Sequence, residues 1–423
     1  MKKILAVTLA IAMLFGMNVF ASENALKVNP GRYDITLFGA VPNDGKDDTQ
    51  AFISALSKGK AIYVPEGEFI VKGTVALFNQ VMFGAGSDKT IITADIKDPF
   101  EPIVRLSRSA TFEGITLRYK DGLVTGEETQ GERTAITTTG RYFAQRGTRV
   151  SDIVVENIGT GLYSDEKMNI ENLQSGLFST TWENVVIRDF SFRGIDYSDQ
   201  GHASTGDYWN NITLSSGKYR ADSALYLIGG ESEEIWEKVT IKDTIAETPV
   251  QISDREAFIA EEIILDNVYA LHGPLISWNK SVGKIEMLLL DYSDVHFNEN
   301  PLILIKNAQN RNSYDNYDRN GLQIGTLSLN SYNSAVATQI FKRAEDCYFP
   351  FYITVDKYEV TNSDYDWFDF PTSEERLLIT KKGEIATEGP TGDRPEQCLC
   401  PYYSKYYDTD LQKLLVWNGK EWK

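Results

Sequence analysis

Short apolar triplets of β-branched residues or leucine recur along the chain. They read ITL ending at Leu117, VV at Val155, VVI at Ile187, ITL at Leu214, VTI at Ile241, IIL at Leu265, LLL at Leu290, LSL at Leu329 and ITV at Val355. The steps between them are 38, 32, 27, 27, 24, 25, 39 and 26 residues, and Asn, Asp, Lys or Arg usually follows at once. No apolar stripe of helical period survives between the triplets. A second run follows most of them: GIDYS at 194–198, ALYLI at 224–228, PVQIS at 249–253, PLISW at 274–278, PLILI at 301–305 and TQIFK at 338–342. Each opens with a small or turn-type residue and then alternates. Two strands in about 25 residues predict one coil of a parallel β-helix, whereas a propeller blade needs four strands in about 40–45. The longer steps predict excursions from the coil at 118–150 and 291–325. Long loops on a regular scaffold are where function tends to sit.

The alternation assigns faces. With Ile195, Leu225, Val250 and Leu275 pointing inward, Asp196, Tyr226, Gln251 and Ile276 form the adjacent outward row. Ser198, Ile228, Ser253 and Trp278 form the next one. A parallel stack exposes unpaired backbone and an open core at its ends. The segment Asp47–Leu56 answers this at the N-terminal end: Asp47 or Asp48 can N-cap a short helix whose Ala51, Phe52, Ala55 and Leu56 form one apolar face.

Lys2 and Lys3 precede an apolar run from Ile4 to Phe20, and Ala21 supplies a small residue for cleavage. This predicts a secretory signal over 1–21 and no membrane association once it is removed. Repeat folds escape the usual limit on domain size because each unit packs on its neighbours. One β-helix domain is therefore expected over 30–388, and a small C-terminal module over 389–423. The net charge of −18 argues against nucleic acid as a partner. The segment 101–150 departs from that balance, with Arg105, Arg108, Arg118, Lys120, Arg133, Arg141, Arg146 and Arg149 against six acidic residues. A local site for an acidic sugar is compatible with it. Cys347, Cys398 and Cys400 are too few for a disulfide scaffold, though Cys347 can pair with one of the other two. No His/Cys set has metal-ligand spacing, and no metal or cofactor is expected.

The segment FGAVPNDGKDDTQAFISAL at 38–56 and KAIYVPEGEFIV at 60–71 resembles the opening of pectate-lyase-superfamily proteins, both the rhamnogalacturonase- and epimerase-like enzymes and phage tailspikes. The likeness is specific over 33–95 and is carried afterwards by the coil rhythm. It implies an all-β, right-handed, single-stranded parallel β-helix with an N-terminal helical cap and glycans bound along an outer face. GPTGDRP at 389–395 and YYDTDLQKLLVWNGKEW at 406–422 are similar to the C-terminal module of some tailspike-like proteins. Trp417, Asn418, Gly419 and Trp422 suggest a small hairpin there, turning at Asn-Gly. Tailspike-like relatives form trimers, but no coiled-coil heptad in this chain supports one.

Two tempting motifs have structural explanations. GAG at 84–86 lacks the Lys-Ser/Thr of a phosphate loop and suits a turn between coils. Asp44, Asp47 and Asp48 belong to the cap. Glycoside hydrolysis needs two carboxylates about 5–9.5 Å apart, one protonated and one ionised. Neighbouring rungs about 4.8 Å apart can supply such a pair. Asp196 and Asp199 flank IDYSDQGHAS, His202 follows, and Asp222 arrives just before the next rung. Tyr226 or Trp278 can stack a sugar ring, with Lys280 close in sequence. Polygalacturonases carry NTD, DD, GHG and RIK elements. Here Gly201-His202 is followed by Ala203, NTD and RIK are missing, and the DD lies in the cap. Lyases of this fold use Arg or Lys as base, a role open to Arg255 and Lys280. The expectation is a secreted polysaccharide-active enzyme of hydrolase type. The alternatives are a lyase working by β-elimination and a non-catalytic, tailspike-like glycan binder.

Overall fold

A computed structural model of the chain describes residues 32–138, 145–164, 177–199, 206–229, 234–253, 255, 258–279, 281, 283–295, 300–306, 321–330, 340–343, 352–361, 368–369, 387–389, 391, 405–416 and 422–423. Among these, 26 strands join one sheet whose pairings are parallel throughout. Most pairings fall into three ladders, and a short further one joins Arg220–Ala221, the end of Glu234–Ala246, the end of Phe258–Ala270 and Asp294–Val295.

The first ladder begins at Arg32–Asp34 paired with Ala61–Val64 and runs to Tyr352–Thr361. The second contains the triplets read from the sequence. Leu117, Val155, Ile187, Leu214, Ile241, Leu265, Leu290 and Leu329 pair successively, each directly opposite the next. Phe69 and Ile92 extend this row toward the N-terminus. At the other end the expectation fails by one ladder. Val355 pairs with Ile324 on the first ladder, and the true partner of Leu329 is Val360. Tyr352–Thr361 is one continuous alternating strand serving two ladders, so period alone cannot say which rung a residue occupies.

The third ladder runs from Val75–Phe78 through Val104–Ser107, Thr134–Thr137, the end of Arg149–Ser164, the end of Thr181–Asp199, Ser223–Gly229, Val250–Ser253, Ile276–Asn279 and Ile303–Lys306. Here the predicted inward row was right for Ile195, Leu225 and Val250 but slipped at the next rung. Val250 pairs with Ile276, so the outward partner of Gln251 is Ser277, not Ile276. A slip of one residue moves every side chain to the other face. Trp278 therefore points inward: it pairs with Ile252, is fully buried, and donates from its indole N–H to the Ser281 carbonyl at 2.8 Å.

The inward rows make one continuous core. Trp182, Trp209 and Trp236 stack nearly parallel on successive rungs, with ring centroids 4.9 and 4.4 Å apart. Turns between ladders use residues of positive φ. Asp152, Asn184 and Asn211 lie at φ 54°, 54° and 55°, where a short polar side chain is tolerated. Asn211 donates to Asn184 and Asn184 to Asp152, both at 2.8 Å, which stitches three coils. At the GAG segment a Cβ on Gly84 would collide with the Gly114 carbonyl of the next coil, so this glycine permits close approach.

The cap helix spans Thr49–Lys58 and buries Ala51, Phe52, Ala55 and Leu56, the predicted face. Phe52 meets Phe69 edge-on at 6.2 Å. The two aspartates divide the work. Asp47 accepts from the Thr49 backbone at 3.0 Å, whereas Asp48 ties the cap to the first coil, accepting from Val41 N at 3.1 Å and Ile70 N at 3.2 Å. The C-terminal residues form a separate sheet of Thr387–Gly389, Lys405–Asp408 and Lys413–Val416. The hairpin within it turns at 409–412, and Asn418 and Gly419 lie outside the described residues. Cys347, Cys398 and Cys400 also lie outside them.

Candidate active site

On the outer face of the third ladder, one row runs Arg105, Thr137, Tyr163, Asp196, Tyr226, Gln251 and Ser277, each paired with the next. Asp196 and Tyr226 thus occupy neighbouring rungs of the predicted row. Asp222 precedes the Tyr226 rung and comes back onto the same patch.

What joins them is Arg193, which the sequence reading missed. Its Nη1 donates to Asp196 Oδ2 at 2.8 Å and its Nε to Asp222 Oδ2 at 2.6 Å. The guanidinium carbon lies 3.5 Å from the centre of the Tyr226 ring, a cation–π contact. Its position follows from a backbone irregularity. Ile158 pairs with Phe190 but Thr160 pairs with Arg193, so the strand Thr181–Asp199 carries one extra residue at this point. Such bulges re-aim a side chain, and no periodic pattern announces them.

The two carboxylates sit in different surroundings. Asp196 has 0% exposure, while the Asp222 side chain keeps 30% and also accepts from Ser223 Oγ at 3.3 Å. Burial raises the Asp196 carboxyl to about 6 against the pull of Arg193 toward the ionised form. Its Oδ2 accepts from Arg193 and, at 3.5 Å, from Gln130 Nε2, whereas Oδ1 has no hydrogen-bond partner among the described residues. Burial likewise raises the Tyr226 hydroxyl.

Gln130 belongs to the loop between Thr116–Tyr119 and Thr134–Thr137, part of the predicted excursion. Glu128 holds this loop in shape, accepting from the Thr125 and Gly126 backbones at 2.6 and 2.9 Å. Glu128 also accepts from the hydroxyl of Ser191, two coils further on. The loop thus forms one rim of the Asp196 patch.

Two expected site residues are not brought together there. Trp278 is in the core for the register reason given above. Arg255 is also buried: its Nη1 pairs with Glu234 at 2.6 Å, with both side chains almost without exposure. A guanidinium sealed against a carboxylate is unsuited to act as a base on a polymer. Tyr226 is the ring that remains on the outer face. His202, Lys280 and the side chain of Asp199 lie outside the described residues. Among the described residues no group of three or more His, Cys, Asp or Glu could hold a metal ion.

Three parallel ladders in register, closed at one end by an amphipathic helix, decide the architecture. The fold is a single-stranded parallel β-helix. No family model matches the sequence. The catalytic unit of an α-1,3-glucanase from Streptomyces thermodiastaticus is similar at 12% identity and a TM-score of 0.45, covering 84% of this chain and 68% of that one. The mannuronan C-5 epimerase AlgE4 A-module of Azotobacter vinelandii is similar at 13% identity and a TM-score of 0.44, covering 82% of this chain and 100% of that one. At these values the likeness concerns the path of the chain, and no residue role is transferred. A pre-neck appendage protein of Bacillus phage B103 is 35% identical over 60 residues, which is 14% of this chain and 7% of the phage protein.

Proposed function

We propose that this β-helix is an exported polysaccharide-active enzyme of the glycoside hydrolase type, with residues 1–21 as its export signal. The observation that carries the reading is a pair of carboxylates on one outer face in unlike environments, bridged by Arg193. Such separation of environments assigns acid and base. Asp196, in its protonated form, gives its proton to the glycosidic oxygen as the bond to the anomeric carbon breaks, and a water molecule then adds to that carbon. Asp222, open to solvent, faces the positive charge that develops at that carbon. Arg193 fixes both carboxylates, and Tyr226 offers a ring face beside them. Gln130 covers Asp196, so productive binding displaces that amide from Oδ2.

The lyase alternative loses one of its two candidate bases with the burial of Arg255. The non-catalytic alternative draws its support from the short phage-appendage likeness and from the full burial of Asp196. One experiment separates the three. The protein is incubated with a panel of neutral and acidic polysaccharides, read both for reducing ends and for the ultraviolet absorbance of unsaturated ends. Reducing ends without absorbance are expected. Absorbance on a uronate polymer would replace the proposal with elimination, and binding without either product would replace it with an adhesin.

A further inference from the structure

Resting on that reading, the basic segment 101–150 narrows the substrate. Most of its cations whose side chains are described are already occupied. Arg118 pairs with Glu68 at 2.7 Å and Glu156 at 3.5 Å, Lys120 with Asp95 at 3.5 Å, and Arg149 with Glu183 at 2.8 Å. Arg133 donates to the Ile96 carbonyl at 2.7 Å, and Arg108 lies over the Phe78 ring at 5.1 Å. Arg105 is the exception. It is half-buried, its Nε is shut off from solvent, and it makes no hydrogen bond or ion pair among the described residues. Leaving such a guanidinium unpaired is costly, because desolvation is not offset by a partner.

Its position makes the vacancy informative. Arg105 lies on the outward row of Asp196, three rungs away through Thr137 and Tyr163. That is about 14 Å at the usual strand spacing, within the reach of one oligosaccharide. Two exposed aromatic rings flank the path. Phe78, 54% exposed, follows by two residues the rung partner of Arg105, Ala76. Phe100, 63% exposed, lies beside Gly131 as Tyr163 does: a Cβ there would lie 3.8 Å from Phe100 and 3.2 Å from Tyr163. On the other side of Asp196 the row offers the neutral Gln251 and Ser277. The chain as a whole carries a net charge of −18, so an unpaired cation on this row stands out against its surroundings.

We propose that Arg105, with Phe78 and Phe100, forms a subsite for a negatively charged sugar unit of the polysaccharide, three rungs from the Asp196 pair. The guanidinium takes the carboxylate of a uronic acid, or a sulfate substituent, in a fork of two charge-assisted hydrogen bonds. The Phe100 ring, and the face of Phe78 that Arg108 leaves open, take the apolar faces of the adjoining sugars.

The test is binding calorimetry on the full chain with hexamers of galacturonate and mannuronate, a sulfated glucan hexamer, and neutral maltohexaose. Titrations are run at about 20 and 200 mM salt, because an exposed ionic contact weakens with screening. At least one anionic hexamer is expected to bind about tenfold tighter than the neutral one, more so at low salt. The carboxylate and sulfate arms tell which anion is preferred. Arg105→Gln is expected to abolish that preference while neutral-sugar binding is retained and the thermal midpoint is equal to or above that of the wild type; Arg105→Lys restores part of it. Phe78→Ala and Phe100→Ala weaken both kinds of ligand. No preference for any anionic hexamer, or an equal preference in Arg105→Gln, overturns the subsite. These outcomes are independent of turnover. A neutral glycan hydrolysed without anion preference removes the subsite and spares the hydrolase. Arg105-dependent binding without hydrolysis does the reverse.

Discussion

Replacing Asp196 with Asn keeps the shape of the side chain but removes the charge that burial opposes. In the folded protein this carboxyl is raised from 3.8 to about 6. The sign follows from proton linkage. Below pH 3.8 the group is protonated in both folded and unfolded chains and costs nothing. As the pH rises through 6 the folded chain must ionise a group that the unfolded chain ionised earlier, so stability is lost across that window. At ~1.4 kcal/mol per pH unit, the full loss is about 3 kcal/mol, and about 2–3 kcal/mol of it falls between pH 4 and 7. Asn imitates the protonated carboxyl and has no such dependence. For a chain of this length, unfolding entropy of ~2.1 cal/mol/K per residue converts this into about 2–3 °C of midpoint. Thermal unfolding of wild type and Asp196→Asn, followed by circular dichroism at pH 4, 5, 6 and 7, reads it directly. The variant is expected to gain on the wild type as the pH rises, with most of the change below pH 6. A constant difference, or a wild type that gains with pH, refutes the picture of a buried carboxyl held uncharged.

The other predictions concern folding. Phe52→Ala opens the plug at the first coil, where the ring is wholly buried against Phe69, and should cost about 3–5 kcal/mol in urea unfolding. A loss under about 1 kcal/mol would mean that the helix does not seal the core. Trp278→Ala should lower the unfolding midpoint by a similar free energy, as a core residue and not a sugar platform. A variant with intact stability but weakened glycan binding would return Trp278 to the outer face. Glu234→Gln leaves Arg255 buried without its counter-charge and should cost about 3–5 kcal/mol, whereas Glu234→Leu with Arg255→Met should recover much of the loss. Equal stability of the single and double variants would argue against a sealed pair.

The coil rhythm was legible because inward-facing positions repeat once per turn, and burial forces each to be apolar. Eight triplets from Leu117 to Leu329 therefore fall on one row without a slip. The cap face was legible for the same reason, since Ala51, Phe52, Ala55 and Leu56 recur at helical spacing. Register was less so. PLISW offers both Leu275 and Ile276 as apolar candidates, both are buried, and choosing the first put Trp278 on the wrong face. Arg193 was illegible because it depends on an extra residue in one strand, and that bulge leaves no mark on hydrophobic alternation. Arg255 reads in sequence like any exposed loop cation; only the meeting with Glu234, 21 residues earlier, shows it to be interior. Pairings between coils are non-local, and patterning along one coil carries no trace of them.

The central claim is that Asp196 and Asp222 do the work of bond cleavage on a bound glycan. The most direct test is the rate of reducing-end release by the wild type, Asp196→Asn and Asp222→Asn on one hydrolysed substrate, with folding checked by circular dichroism. Removing a positioned acid or its partner carboxylate is expected to slow turnover by about 10²–10⁴-fold in each variant. Full activity in either variant would contradict the assignment.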